Sequence, residues 1–272
     1  MRLGIVTIPR PDQPGSLPDR MIALAHRVER LGFEGFWVTD AFARGRATLD
    51  PLVLLGLVAG HTNRIELGTC VVQVPLRHPV EHAQRVQTLH ALSNGRFRFG
   101  VGSGSTRADF DAVQVDYEAR FKMLPAYLDV MRRCWAGEPV YGPALTPWPG
   151  TEGGPPMLLG AWRSKRWIDL AAKTLQGWIS SGIHTKVEDL EIGLRMYREV
   201  GGTRAVLANV FADLRPNPRT LPIAHTPNIS LLCGPAEARD RLKRLADLGL
   251  DDVLLVVPDD DPDQLAQLRD LI

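Results

Sequence analysis

Apolar positions along this chain follow two alternating rhythms. Short runs rich in β-branched and aromatic residues occupy about 3–8, 35–40, 65–74, 97–103, 156–161, 177–181, 205–212 and 252–257. Between them apolar residues recur at helical spacing. The first such segment places Met21, Leu24, Ala25, Val28 and Leu31 on one stripe and stops at Gly32, a residue suited to a helix C-terminus. Others align Phe121, Leu124, Leu128, Met131 and Trp135 ahead of Gly137, and Ala238, Leu242, Leu245 and Leu248 between Pro235 and Gly249. The last carries Leu265, Leu268 and Leu271 after Pro262. Eight strands separated by helices predict an α/β protein, a single-domain (β/α)8 TIM barrel over 1–272, because only crossover helices return a chain to a parallel neighbour. A doubly wound open sheet accommodates the same strands and stands as the alternative.

Two stretches break the rhythm. Residues 138–155 contain five prolines and 213–228 contain four, so neither is helical. Long connections of this kind are expected to be lids or binding loops, or else disordered. The first either crosses the bottom of the barrel or folds over its mouth.

Composition narrows the function classes. With 44% hydrophobic residues, 23% charged residues and a formal net charge of +1, the chain has a large core and no broad basic field for nucleic acid. No apolar run approaches the roughly 18 residues of a membrane span. Cys70, Cys134 and Cys233 are scattered and odd in number, which argues for a reduced, cytoplasmic protein without disulfides or a metal site. Arg2 enters a strand directly, without a secretory apolar segment.

The chemistry is expected at the C-terminal ends of the strands. Thr69-Cys70-Val71 ends one of them, and Gly100-Val-Gly-Ser-Gly104 ends the next. Glycines there let backbone approach a flat ring and present N–H donors to it. Leu159-Gly-Ala-Trp-Arg-Ser-Lys-Arg166 then opens a helix with basic residues, which oppose the helix dipole unless an anion sits there.

Taken in order, Gly32-Phe-Glu-Gly-Phe-Trp-Val-Thr-Asp40, Ile65-Glu-Leu-Gly-Thr69, Pro75-Leu-Arg-His-Pro79, Leu89-His-Ala-Leu-Ser-Asn-Gly-Arg96, Gly100-Val-Gly-Ser-Gly104, Ala171-Ala-Lys-Thr-Leu-Gln-Gly-Trp178 and the Leu245–Gly249 segment resemble the luciferase-like flavin-dependent oxidoreductases. That family includes bacterial luciferase, alkanesulfonate monooxygenases and F420-dependent dehydrogenases. The resemblance implies a barrel, often dimeric, with FMN or F420 at its C-terminal mouth and no metal. Thr69, Cys70 and Val71 would form a β-bulge, often with a non-prolyl cis peptide, behind the ring. Asp40, Ser103 and Gly104 would border the cofactor, and Gly160, Arg163 and Ser164 would hold its phosphate, although the usual paired glycines are replaced here by bulkier residues.

The resemblance also exposes a gap. The histidine that handles protons in several relatives is Ala41 here, and the acid that others carry after the glycines is Ser105. General acid–base work needs a titratable group within reach of the reacting atom, so His184, His78 and Arg10 stand as candidates. His26, His61 and His90 fall on outer helices. The expected activity is a monooxygenase acting on a small organic substrate with reduced FMN, O2 and a separate flavin reductase. F420-dependent hydride transfer and a non-catalytic flavin-binding barrel are the alternatives. A lysine-dependent barrel aldolase is disfavoured, because Lys122, Lys173 and Lys243 all lie in helical segments.

Overall fold

A computed structural model of the chain describes residues 1–41, 43–162, 164–219 and 226–272. Ten strands are present among them: β1 (Arg2–Thr7), β2 (Gly35–Val38), β3 (Glu66–Thr69), β4 (Val72–Gln73), β5 (Phe97–Gly102), β6 (Met157–Gly160), β7 (Gly177–Ser181), β8 (Ala205–Asp213), β9 (Ser230–Leu232) and β10 (Asp252–Val256). Pairing runs β10-β1-β2-β3-β5-β6-β7-β8, all parallel, and β8 pairs again with β10. That last pairing closes the ring and removes the open-sheet alternative. The eight barrel strands are the eight apolar runs of the sequence.

Two strands were not legible as separate elements. The run at 65–74 divides at a cis Cys70–Val71 peptide, and β4 resumes pairing with β5 beyond it. The three-residue β9 pairs with Phe211–Asp213 of β8, continuing the edge that β7 pairs only as far as Ala208.

The helices are α1 (Leu17–Arg30), α2 (Pro51–Ala59), α3 (Pro79–Leu92), α4 (Arg107–Ala112), α5 (Arg120–Trp135), α6 (Lys165–Thr174), α7 (Val187–Glu199), α8 (Pro235–Asp247) and α9 (Pro262–Arg269). The apolar stripes of all of them except α4 pack against the outer face of the barrel in the larger of two clusters of buried side chains. The smaller cluster fills the interior, around Val6, Trp37, Leu158, Ile179, Val206 and Leu254. Trp37 occupies a space left by glycines on three adjacent strands. A Cβ at Gly68 would stand 2.1 Å from its ring, one at Gly35 2.3 Å, and one at Gly4 3.0 Å. None of the described helices is long and apolar enough to cross a membrane.

An ion cluster seals the N-terminal end of the barrel. Glu66 pairs with Arg2 (2.9 Å), Arg98 (2.9 Å) and Arg204 (2.7 Å), while Asp252 pairs with Arg2 (2.6 Å) and Arg204 (2.9 Å). Burial pushes the Asp252 carboxyl up to about 6 against the pull of Arg2.

The 138–155 connection is no lid. It leaves α5 and folds back on it: Gly153 N–H donates to the Trp135 carbonyl (3.4 Å), and Gly154 lies so close to the Trp135 ring that a Cβ would be 2.2 Å away. It then enters the N-terminal end of β6, and none of its residues lines the cavity at the mouth. The second connection, 213–228, begins inside β8, where buried Asp213 holds Arg215 Nε (2.7 Å) and the Arg219 N–H (2.8 Å); residues 220–225 lie outside the described residues.

His82, on α3, is fully buried, edge-on to Phe99 at 5.6 Å, and neither ring nitrogen has a hydrogen-bond partner among the described residues. Burial, reinforced by Arg77 and Arg85, drives its pKa down to about 3. The unfolded chain therefore takes up a proton below about pH 6.5 that the folded chain refuses, so this part of the stability is complete above that pH and is lost as pH falls. Urea unfolding at pH 7 and pH 5 is expected to show a loss of about 2 kcal/mol from this residue, absent in His82→Leu. Glu66→Gln is expected to lower unfolding stability by roughly 3 kcal/mol, because it strips three clustered guanidiniums of their shared carboxylate.

Candidate active site

The C-terminal ends of the eight barrel strands surround a cavity of about 1120 Å3. Its most constrained feature is the step between β3 and β4. Thr69, fully buried, donates its hydroxyl to the Gly100 carbonyl at 2.8 Å, and its own carbonyl sits where a Cβ on Gly100 would be only 1.8 Å away. Val71 then projects into a notch between two more glycines. A Cβ at Gly102 would lie 2.7 Å from one of its methyls, and a Cβ at Gly160 2.9 Å from the other. Glycines on β5 and β6 thus exist at these positions because the step pushes backbone and side chain into them. The result is a ledge at Val71, bordered by Gly102, Ser103, Gly104 and Gly160.

Not every residue of the step faces the cavity. Thr69 anchors it from behind and does not line the cavity. Cys70 lines it, but its buried thiol sits 3.8 Å from the Val38 carbonyl and burial raises its pKa, which leaves it protonated and unreactive.

Beside the ledge lies a chain of ion pairs. Asp40, two residues past β2, receives both guanidinium nitrogens of Arg77 (2.7 and 2.9 Å) and the Gln73 N–H (2.9 Å). Arg77 also reaches Asp50 at 3.6 Å. The Gln73 amide donates to Asp109 (2.8 Å), which further receives Arg44 (2.7 and 3.0 Å) and the Ala43 N–H (3.0 Å). Burial alone would raise the Asp109 carboxyl, but the bonds from Arg44, Gln73 and Ala43 outweigh it and hold it below the usual range. Asp40 and Asp109 are therefore saturated ion-pair partners rather than free acids.

The remaining sequence candidates divide. His184 lines the cavity with its ring 5.2 Å from that of Trp162. Arg10 lines it and pairs with Asp12 at 2.6 Å. Ser164 lines it as the N-cap of α6, with no side-chain capping bond of its own. Arg163 lies outside the described residues. His78 is not brought to the site: it is the exposed N-cap of α3, its ring turned to Tyr141 at 5.9 Å. Pro79 starts the helix at once and directs the side chain outward.

Several lining residues had not been singled out. Arg120 lies between the Tyr117 ring (3.6 Å) and the Phe121 ring (4.1 Å), and its Nε is buried without a hydrogen-bond partner among the described residues. Gln73 lines the cavity and is held by Asp109, which does not line it, and nothing in their sequence context announces burial. Asn209 is a polar interruption in the apolar run of β8, a signal that could have been read.

The sequence matches the luciferase-like monooxygenase profile over residues 1–206. It is 35% identical over 134 residues to 4-hydroxyprotoasukamycin monooxygenase of Streptomyces nodosus subsp. asukaensis, a match covering 48% of this chain and only 36% of that enzyme. The monooxygenase RslO1 of Streptomyces bottropensis superposes with a TM-score of 0.85 at 19% identity, covering 100% of this chain and 97% of that one. The oxygenating constituent of 3,6-diketocamphane monooxygenase from Pseudomonas putida, solved with FMN, superposes at 0.79 with 16% identity over 100% and 96% of the chains. An F420-dependent secondary alcohol dehydrogenase superposes at 0.73 with 15% identity over 100% and 98%. Sequence profile, closed parallel barrel and mouth cavity agree: the chain belongs to the luciferase-like monooxygenase family.

Proposed function

We propose that this protein is a flavin-dependent oxidoreductase, and specifically a monooxygenase that uses reduced FMN and O2 on a small organic substrate. The observation that carries the reading is the Val71 ledge. Its three flanking glycines leave an apolar shelf open to the cavity, and a flat tricyclic ring is the kind of ligand such a shelf suits. The residues present fit the rest of the group. Ser164 and the N–H groups of Lys165 and Arg166, which open α6, suit a phosphate, and Arg120 adds a desolvated cation on the cavity wall. The bound flavin would supply the oxygen-activating chemistry, while the protein binds, orients and excludes water.

Within this reading Val71, Ser103, Gly104 and Gly160 seat the ring, and Arg163 and Ser164 serve its phosphate. Thr69 and Asp40 hold the surrounding backbone. His184, against Trp162, is the residue positioned to move a proton at the mouth, and Arg10 offers charge to an anionic oxygen. F420 in place of FMN is the second reading, favoured by the F420-dependent neighbour. A separate reductase would deliver reduced FMN. Dimer formation is supported by α2, whose sequence Pro-Leu-Val-Leu-Leu-Gly-Leu-Val-Ala is apolar on every side and leaves Val53 74% exposed.

The purified protein is expected to bind reduced FMN, read by fluorescence titration, more tightly than F420; preference for F420 would redirect the assignment to hydride transfer, and binding of neither would remove the cofactor. Gly160→Val is expected to weaken cofactor binding at least about tenfold at unchanged circular dichroism, since its methyls displace Val71. His184→Gln is expected to keep cofactor affinity and lower kcat by about 100-fold, the scale of a lost general acid–base group.

A further inference from the structure

The wall opposite the ledge carries two polar side chains with no hydrogen-bond partner among the described residues. In the ring of eight strands β8 stands four places from β3, and therefore faces Val71 across the mouth. Along β8, Val206, Ala208 and Phe211 point into the barrel, whereas Ala205, Leu207, Val210 and Ala212 pack outward. The inward positions 208 and 211 are three apart, and the pairing with β10 slips over the same stretch, with Leu207 opposite Val253 but Val210 opposite Leu255. One extra residue is therefore inserted at Asn209: a β-bulge, with φ +57°. Glycine is most at ease there, and among side chains asparagine tolerates the left-handed region best. Asn209 lines the cavity, and its amide makes no hydrogen bond among the described residues. On the adjacent β7, Ile179 points inward, so Ser181 does too; Ser181 also lines the cavity, and its hydroxyl makes no hydrogen bond among the described residues.

Around this pair the wall is apolar or aromatic, with Ile179, Ile183, Phe211, Val256 and Trp162. The carboxylates that line the cavity all have partners: Asp40 pairs with Arg77, Asp12 with Arg10, and Asp260 accepts from the Thr7 hydroxyl at 3.1 Å. We infer that the Ser181 hydroxyl and the Asn209 amide form a substrate subsite that positions an uncharged, largely apolar molecule by a single carbonyl or hydroxyl oxygen, opposite the Val71 ledge. A bulge that needed only the backbone shape would be served by glycine; asparagine adds a donor and an acceptor aimed at the cavity. As a description of the substrate of that same site, the inference rests on the proposed flavin-dependent activity.

The test is displacement of Nile red from the cavity by cyclooctanone, cyclooctanol and cyclooctane, on wild type, Asn209→Leu and Asn209→Gly, with and without FMN. Wild type is expected to hold the ketone and the alcohol about three- to tenfold more tightly than the hydrocarbon, the range of one neutral hydrogen bond. Asn209→Leu keeps the bulk and is expected to bring that ratio to about one. Asn209→Gly, compatible with the bulge, is expected to do the same with an unfolding midpoint that is level or higher, which a structural role for the amide would not allow. A wild-type ratio near one, failure of all three compounds to displace the probe, or a ratio that survives in both variants overturns the inference. FMN titration separates the two readings: FMN bound without oxygen preference removes the subsite alone, and oxygen preference without FMN binding removes the flavin reading alone.

Discussion

Close approach of backbone to backbone at the β3–β4 step governs the mouth of this barrel. The Thr69 carbonyl and the Val71 methyls reach into neighbouring strands by distances that no Cβ tolerates, and Gly100, Gly102 and Gly160 answer them. Everything on that side follows from the contact. The Thr69 hydroxyl locks the step to β5, and Gln73 emerges just beyond it, aligned with both Asp40 and Asp109. The shelf is thus made by packing, and the ion pairs beside it hold the frame in which the packing is possible. The opposite end of the barrel carries three arginines on two carboxylates, so ion pairs frame both ends while the close backbone approach at the step belongs to the mouth.

The fold was legible because its signal is repetitive. Eight apolar runs and the amphipathic helices between them can be read from periodicity alone, and closure of the ring adds only the β8–β10 pairing. What escaped was short or non-periodic. β9 has three residues, and β4 has two and is separated from β3 by a step that hydropathy does not register. The 138–155 connection reads as a candidate lid because prolines exclude a helix, yet its placement depends on the Trp135 ring to which Gly154 fits.

The site was legible in part, and for a different reason. Glycines that admit close backbone approach mark themselves in the sequence, so Ser103, Gly104 and Gly160 were found at the cavity. Polar side chains do not reveal which way they point. Thr69 and Asp40 turned out to be saturated by neighbours, and His78 was turned outward by the helix that Pro79 begins. Asp109 and Gln73, buried partners in one chain of hydrogen bonds, have no sequence context that distinguishes them from surface residues. The bulge at Asn209 arises from pairing between strands far apart in sequence, which local pattern cannot contain.

Arg77 carries a consequence for how the mouth can change. It pairs with Asp40 at 2.7 Å and reaches Asp50 at 3.6 Å, the residues that bracket the β2–α2 connection. Asp50 in turn caps α2 by accepting from the Leu52 and Val53 N–H groups. One guanidinium therefore fixes the exit of a strand and the entrance of a helix, and the chain between them is a closed loop on a fixed base. Such a segment can be lengthened or rewritten without moving the barrel, and a family that serves many substrates from one scaffold has in this clamp a place to vary the rim of its cavity while the floor stays as it is.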